Sequence, residues 1–413
     1  MDTLKDIKNT KLLLFMCWLV YSASYIGKVN FSASKLSIMS YFNINESEIG
    51  LVGTFFFFAY GIFMVINGML CKKYNVKYMI FSALMVSSAI NLTIPFIPKD
   101  YFYIIKYLWL LNGAVLSILW PTLIRLISEL LPTNKMSTAS KVMGTTVATG
   151  TFIIYGLSAV YSKLNIFKFS FFTPAIIVPI VAFLWLILYN RFTDISKSED
   201  LATGQPENTV SNKTKISRNL LIIIIFLAIC AIVTNLMKDG LIGWVPKILK
   251  DSYNLPDYVS ILMTLMLPLV AVLANFFSVS LSEKIKNPML FEGGLFLFGG
   301  LMILGNIFAL ATKAMIPSFL MMTMATFIAS GSNNFITSIY PLSMKGKINS
   351  GLIAGVLNGF CYLGSTISDY GLGTVKVMTG SWHAVFYVLL SACGIVCLFA
   401  AALLVINIKK YKE

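Results

Sequence analysis

Uncharged apolar runs, long enough to cross a bilayer, recur along the whole chain. One extends from Leu12 to Gly27 and another from Asn219 to Met237. A helix needs about 20 predominantly apolar residues to cross the hydrocarbon, whereas a transmembrane strand shows short alternating segments. Runs such as Leu220–Ile232 do not alternate, so the pattern predicts helices. Twelve are read, near 11–40, 48–70, 77–96, 101–131, 136–162, 168–191, 217–248, 256–281, 288–311, 315–343, 347–375 and 382–408. One long polar stretch, Thr193–Ile216, separates the sixth from the seventh. Asp194, Lys197, Glu199, Asp200, Gly204, Pro206, Glu207, Lys213 and Lys215 give it the composition of a linker. The expected organisation is an all-α membrane protein with 12 transmembrane helices. One six-helix half covers 1–192, a cytoplasmic linker 193–216, and a second six-helix half 217–413.

Composition agrees with the pattern. The chain is 57% hydrophobic and 12% charged, whereas soluble domains carry about 25% charged residues. The net charge of +15 does not point to nucleic acid, because the basic residues gather at segment ends. Those at the N-terminus, near Lys72, Lys135, Lys197, Lys284 and Lys345, and in the C-terminal tail fall on one side. The positive-inside rule then puts both termini in the cytoplasm and requires an even number of spans. The lipid bilayer is the expected surroundings, with the chain acting as a monomer. Lys5, Lys8 and Lys11 before an apolar run resemble a signal peptide, but with so many spans following, an uncleaved first helix is the simpler reading.

Little in the chain suggests an enzyme. The cysteines (Cys17, Cys71, Cys230, Cys361, Cys393, Cys397) are scattered through apolar segments and His383 is the single histidine. They form no metal-spaced cluster and no disulfide framework. Cys393 and Cys397, one helical turn apart, are read as packing residues. No phosphate-cradling glycine-rich loop is present. Neither a metal nor a cofactor is expected, and transport would have to draw on a gradient.

The two halves echo each other. Trp120-Pro121 in the fourth segment matches Tyr340-Pro341 in the tenth. Lys28 and Lys238 lie at comparable depths in the first and seventh. Six plus six spans about a charged central loop describe the major facilitator arrangement, in which parallel halves hold a site near the midplane. Small residues at four-residue spacing (Ser140 and Gly144; Gly351, Gly355 and Gly359) suggest close helix contact, or smooth faces that let the halves slide.

The ionisable residues inside the spans are the candidate chemistry. A charge at the centre of a membrane helix costs roughly 2.5–3.5 kcal/mol on insertion scales. Lys28 and Lys238 therefore suggest a cationic site whose natural ligand is a small anion. An ammonium offers a compact charge with three rotatable donors. Tyr21, Tyr25 and Lys28 share one helix face by their spacing. Asp239 adjoins Lys238, and local charge compensation is its plainer reading. Asp369 could pair with a lysine, bind a cationic group or carry a proton. Arg125 and Glu129, one turn apart, are read as an intrahelical pair. Glu292 receives no role.

Four stretches carry a family resemblance: Tyr25-Ile-Gly-Lys28-Val-Asn30-Phe31; Asn112-Gly113 with Trp120-Pro121 and Arg125; Lys238-Asp-Gly-Leu-Ile-Gly-Trp-Val-Pro246; and Gly359-Phe-Cys-Tyr-Leu-Gly364. In these the chain resembles, nearly end to end, the organophosphate:phosphate antiporter family of the major facilitator superfamily. That family includes the bacterial glycerol-3-phosphate and hexose-phosphate transporters. The resemblance implies that Lys28 and Lys238, where the family typically has arginine, bind a phosphate group from the two halves. It also implies exchange of a phosphate ester for inorganic phosphate by alternating access. Tyr21, Tyr25, Asn30, Trp120, Asn334, Asn358, Tyr362 and Asp369 complete the expected site, as polar or aromatic groups on helices 1, 4, 10 and 11. Two alternatives stay open. One is a proton-coupled transporter of a carboxylate or drug-like solute that uses Asp369. The other is a membrane sensor of sugar phosphates.

Overall fold

The computed structural model describes residues 4–70, 74–131, 135–193, 218–344 and 350–410. Side chains at 4–8, 68–70, 136–137, 192–193, 350–352 and 407–410 are outside that description. The expected linker, beyond Thr193, lies outside the described residues, as do Cys71, Lys72, Lys73 and Lys345.

The helices in chain order are α1 (Leu4–Ala33), α2 (Lys35–Phe42), α3 (Glu46–Leu70), α4 (Val76–Thr93), α5 (Tyr103–Leu116), α6 (Leu119–Leu130), α7 (Met136–Gly144), α8 (Thr146–Lys163) and α9 (Phe169–Thr193). They continue with α10 (Arg218–Tyr253), α11 (Asp257–Thr264), α12 (Met266–Lys284), α13 (Pro288–Ala311), α14 (Met315–Asn334), α15 (Tyr340–Ser343), α16 (Ser350–Thr379) and α17 (Trp382–Lys410). Among the described residues, 11 helices are long and apolar enough to cross a membrane, some of them built from two consecutive pieces. The expected segment outside that set is the eleventh, α16, 30 residues long. Its glycines and serines, with Asn358 and Asp369, dilute its apolar character.

Several expected spans are broken, and the breaks have local causes. Proline at i cannot donate to the carbonyl at i−4 and crowds it. Pro121 stands four residues after Ser117, where α5 ends. Pro268 stands four after Thr264, the last residue of α11. Pro341 follows the π-helical turn Phe335–Ile339 that joins α14 to α15, a geometry typical of a strained or functional point. Between α7 and α8, Thr145 donates to the Val142 carbonyl and Thr146 to that of Met143, at 2.8 and 2.5 Å. Such back-bonding competes with the helical ladder. Ends are cleaner. Asn287 caps α13 by accepting from the Met289 N–H at 2.9 Å, with Pro288 in the first turn. Asn43, Asn165 and Asn254 follow α2, α8 and α10 at φ of 55°, 57° and 54°, a conformation asparagine tolerates.

Packing divides the chain into two compact units. One comprises Met1–Ser34 with Ala59–Ser211, the other Lys35–Phe58 with Asn212–Glu413. The boundaries fall between α1 and α2 and inside α3. Residues 35–58 thus group with the second unit, whereas a division at the linker would leave them in the first.

In the first unit α1 packs on α8 and α9, and α4 on α9 and α5. Its core includes an aromatic cluster, with Phe31 at 5.1 Å from Trp109 and 6.5 Å from Phe171, measured between ring centroids. In the second unit α10 packs along α16, and α13 lies against α14 and α17. Large apolar side chains such as Phe276, Phe298 and Leu398 are exposed. A bilayer turns such side chains from a liability into the contact surface.

Close backbone contacts occur at glycines other than those expected. A Cβ at Gly364 would meet the Ile232 carbonyl, and one at Gly150 would meet the Ser22 carbonyl. Gly144, Gly355 and Gly359 have no neighbouring atom within 4 Å of such a Cβ, so the four-residue repeats do not mark helix contacts in this structure. Gly351 lies outside the described side chains. Gly364→Ala should therefore lower thermal stability in detergent by about 1–3 kcal/mol, because α10 and α16 must separate. Gly355→Ala should leave stability unchanged or raise it by roughly 0.5–1 kcal/mol through helix propensity. Melting curves of both variants measure the contrast.

Candidate functional site

In the first unit the expected aromatic and cationic face of α1 is present. The Lys28 ammonium sits 4.0 Å from the centre of the Tyr60 ring and 4.8 Å from that of Tyr25. Tyr21 contacts Tyr25 edge-on at 5.3 Å and Trp120 at 4.8 Å. Aromatic faces attract a cation through their quadrupole without neutralising it. Lys28 is half-buried among these rings.

A buried asparagine network supports this stretch. The Gly27 carbonyl accepts from the Asn112 and Asn91 side-chain amides at 3.0 and 3.3 Å. Asn30 donates to Asn91 Oδ1 at 2.8 Å and to the Ser170 carbonyl at 3.1 Å, and Ser87 donates to Asn112 Oδ1 at 2.7 Å. These bonds tie α1 to α4, α5 and α9 next to Lys28. Asn30, expected in the site, is fully buried in that framework. Arg125 and Glu129 form the expected intrahelical pair at 2.6 Å.

In the second unit Lys238 Nζ lies 3.6 Å from Asp239 Oδ1, with side chains 20% and 18% exposed. Ser365 on α16 donates to Asp239 Oδ2 at 2.5 Å, and Asn235 lies 3.4 Å from the same oxygen. Asn333 on α14 donates to Asn235 Oδ1 at 2.8 Å. Asn358 and Tyr362 line the same helix, α16, half-buried. Asn334 instead joins two helices, donating to Ser278 at 2.8 Å and to the Asn275 carbonyl at 3.2 Å.

Asp369 has a partner that sequence reading did not assign. Lys35 donates to its Oδ1 at 2.8 Å, with side-chain exposures of 2% and 5%. The same ammonium lies 4.0 Å from the Trp244 ring centre. Gly50 and Gly53 let α3 approach, since a Cβ on either would collide with Asp369. Nearby, Thr54 donates to the Thr366 carbonyl at 2.7 Å, and Lys247 bridges Glu46 and Asp251 at 3.3 and 2.7 Å. The pair binds α2 and the first half of α3 to α10 and α16 within this unit.

Glu292 is wholly buried on α13. Its Oε2 accepts from Ser332 at 2.5 Å, and the Ser332 hydroxyl lies 2.8 Å from that of Thr234. Cys393, as expected, packs, with its sulfur 3.6 Å from that of Met237. Among the described residues no group of three or more His, Cys, Asp or Glu is placed to hold a metal.

The structure thus gathers Tyr21, Tyr25, Lys28 and Trp120 in one unit, and Lys238 with Asp239 in the other. Sequence reading missed Tyr60, Asn235, Asn333 and Ser365. Only Asn235 left a trace, standing one helical turn before Asp239.

Ionisable and amide groups kept inside the spans of a many-helix membrane protein mark a functional site for a polar or charged species. The chain belongs to the Major Facilitator Superfamily, which it matches over residues 17–368, and it is a transporter rather than an enzyme. It is 21% identical to the glycerol-3-phosphate transporter of Bacillus subtilis (strain 168), over 95% of this chain and 92% of that one. It is likewise 21% identical to a probable hexose phosphate transport protein of Chlamydia pneumoniae, over 95% and 90% of the two chains. Among solved structures, the D-xylose–proton symporter superposes with a TM-score of 0.73 at 12% identity, covering 95% of this chain and 97% of its own.

The Lys35–Asp369 pair has a measurable consequence. Removing one member of a buried pair strands the other charge and costs about 3–5 kcal/mol, while apolar replacement of both is often neutral. Lys35→Met alone should lower the melting temperature markedly. Lys35→Met combined with Asp369→Leu should recover most of the loss.

Proposed function

We propose that this transporter carries a small organic anion, a phosphate ester, in exchange for inorganic phosphate by alternating access. The observation that carries the reading is one half-buried lysine in each unit, Lys28 and Lys238, in membrane-spanning helices that are otherwise uncharged for many residues before them. The names of two relatives, a glycerol-3-phosphate transporter and a probable hexose phosphate transport protein, support the phosphoryl group as the recognised part.

In this reading both ammonium groups bind phosphoryl oxygens. Tyr21, Tyr25 and Trp120 would line the first unit's share of the site, and Asn358 and Tyr362 the second's. Asn30, Asn334 and Asp369, whose hydrogen bonds are made to neighbouring helices, would hold the framework that positions them. The tyrosine rings around Lys28 lessen the cost of holding its charge in the span. The protein would sit in a cytoplasmic membrane as a monomer with both termini inside.

Purified protein in phosphate-loaded liposomes should take up a phosphate ester, and external ester should release internal phosphate. A hydrogen bond to a charged group contributes about 1.5–3 kcal/mol. Lys28→Ala and Lys238→Ala should each weaken apparent affinity roughly tenfold to a hundredfold. Uptake that needs no internal phosphate and survives both substitutions would sink the proposal.

A further inference from the structure

The lysine of the second unit does not stand beside neutral neighbours. Asp239 follows it directly, with its Oδ1 3.6 Å from the ammonium. A carboxylate on a mobile side chain could turn aside for an incoming anion. This one is held. Ser365 donates to Oδ2 at 2.5 Å, and Asn235 approaches the same oxygen at 3.4 Å. Asn235 in turn donates to Ser365 at 3.0 Å and accepts from Asn333 at 2.8 Å. Three helices, α10, α14 and α16, thus fix one negative charge beside the cation, and both side chains remain partly accessible.

A fixed acid at that distance changes what the lysine can bind. An anion resting on Lys238 lies within several ångströms of the Asp239 carboxylate. The attraction of the cation and the repulsion of the acid both scale with ligand charge. A singly charged phosphoryl group gains most of what the ammonium donors offer by hydrogen bonding. A second charge gains little more, since its attraction to Lys238 is largely offset by Asp239.

We propose that Asp239 is a charge-selecting residue, which makes this half of the site prefer a phosphoryl group carrying one negative charge over a dianion. The substrate class is then phosphodiesters, or monoesters taken in their singly protonated form. The proposal rests on the anion reading of the preceding subsection. Asn235, Asn333 and Ser365 are its positioning residues.

The test uses two probes with the same phosphoryl chemistry and different charge. At pH 7.5 dimethyl phosphate is a monoanion. Methyl phosphate is mostly a dianion, because the second ionisation of a phosphomonoester lies near pH 6. Ligand-dependent thermal stabilisation of the full-length protein in detergent gives an apparent affinity for each. The wild type should bind dimethyl phosphate at least as tightly as methyl phosphate. Asp239→Asn should shift the ratio toward methyl phosphate by about tenfold or more. Asp239→Glu, which keeps the charge, should retain the wild-type preference. Ser365→Ala, which loosens the hold on the carboxylate, should shift the ratio in the same direction as Asp239→Asn by a smaller factor. A purely structural Asp239 would change both affinities together. An unchanged ratio in Asp239→Asn, or a wild type that already prefers methyl phosphate, overturns the charge-selection proposal and leaves the anion reading standing. Binding of neither probe by the wild type overturns the anion reading, and this proposal with it.

Discussion

Hydrocarbon offers no partner to a charged or polar group, so such groups inside the spans are stabilised where the protein supplies one. That constraint organises both units. It explains why Lys35 and Asp369 lie at hydrogen-bonding distance although 334 residues separate them. It explains why Lys28 is flanked by tyrosine rings. It also explains why Asn30 donates to Asn91, and why Asn91 and Asn112 both donate to the Gly27 carbonyl. These contacts are the condition for placing polar chemistry in a membrane at all.

The two lysines of the candidate site meet the constraint differently. Lys28 is faced by aromatic rings that soften the cost of its charge. Lys238 has a carboxylate neighbour held by Ser365 and Asn235. Lys35, by contrast, is buried between Asp369 and Trp244, where it binds helices together. Three buried or half-buried lysines thus have three settings. Burial, together with the identity of the nearest groups, separates the two accessible cations from the structural one.

Helix breaks and close contacts serve the same arrangement. Prolines 121, 268 and 341 interrupt spans by withholding a donor, and each break lies within a span of the expected length. Gly364 lets α16 reach the α10 backbone, and Gly50 and Gly53 make room for Asp369. Stripping those glycines of their space would pull apart the helices that hold the Lys35–Asp369 pair.

Much of this was legible without coordinates. Length and continuity of the apolar runs determine that the chain forms membrane helices, because a bilayer sets one required length and one required solvent character. The spacing of Tyr21, Tyr25 and Lys28 determines a shared face, because helical geometry is local. The Arg125–Glu129 pair is local in the same sense. The partner of Asp369, the company of Asp239 and the glycines at close contact were decided by tertiary structure alone. Each depends on which helices adjoin and at what rotation. In a membrane, apolar pattern cannot encode that choice, since lipid and neighbouring helices are nearly alike as apolar surroundings. Only the matching of donors, acceptors and small residues across helices decides it, and those matches join residues remote in the chain.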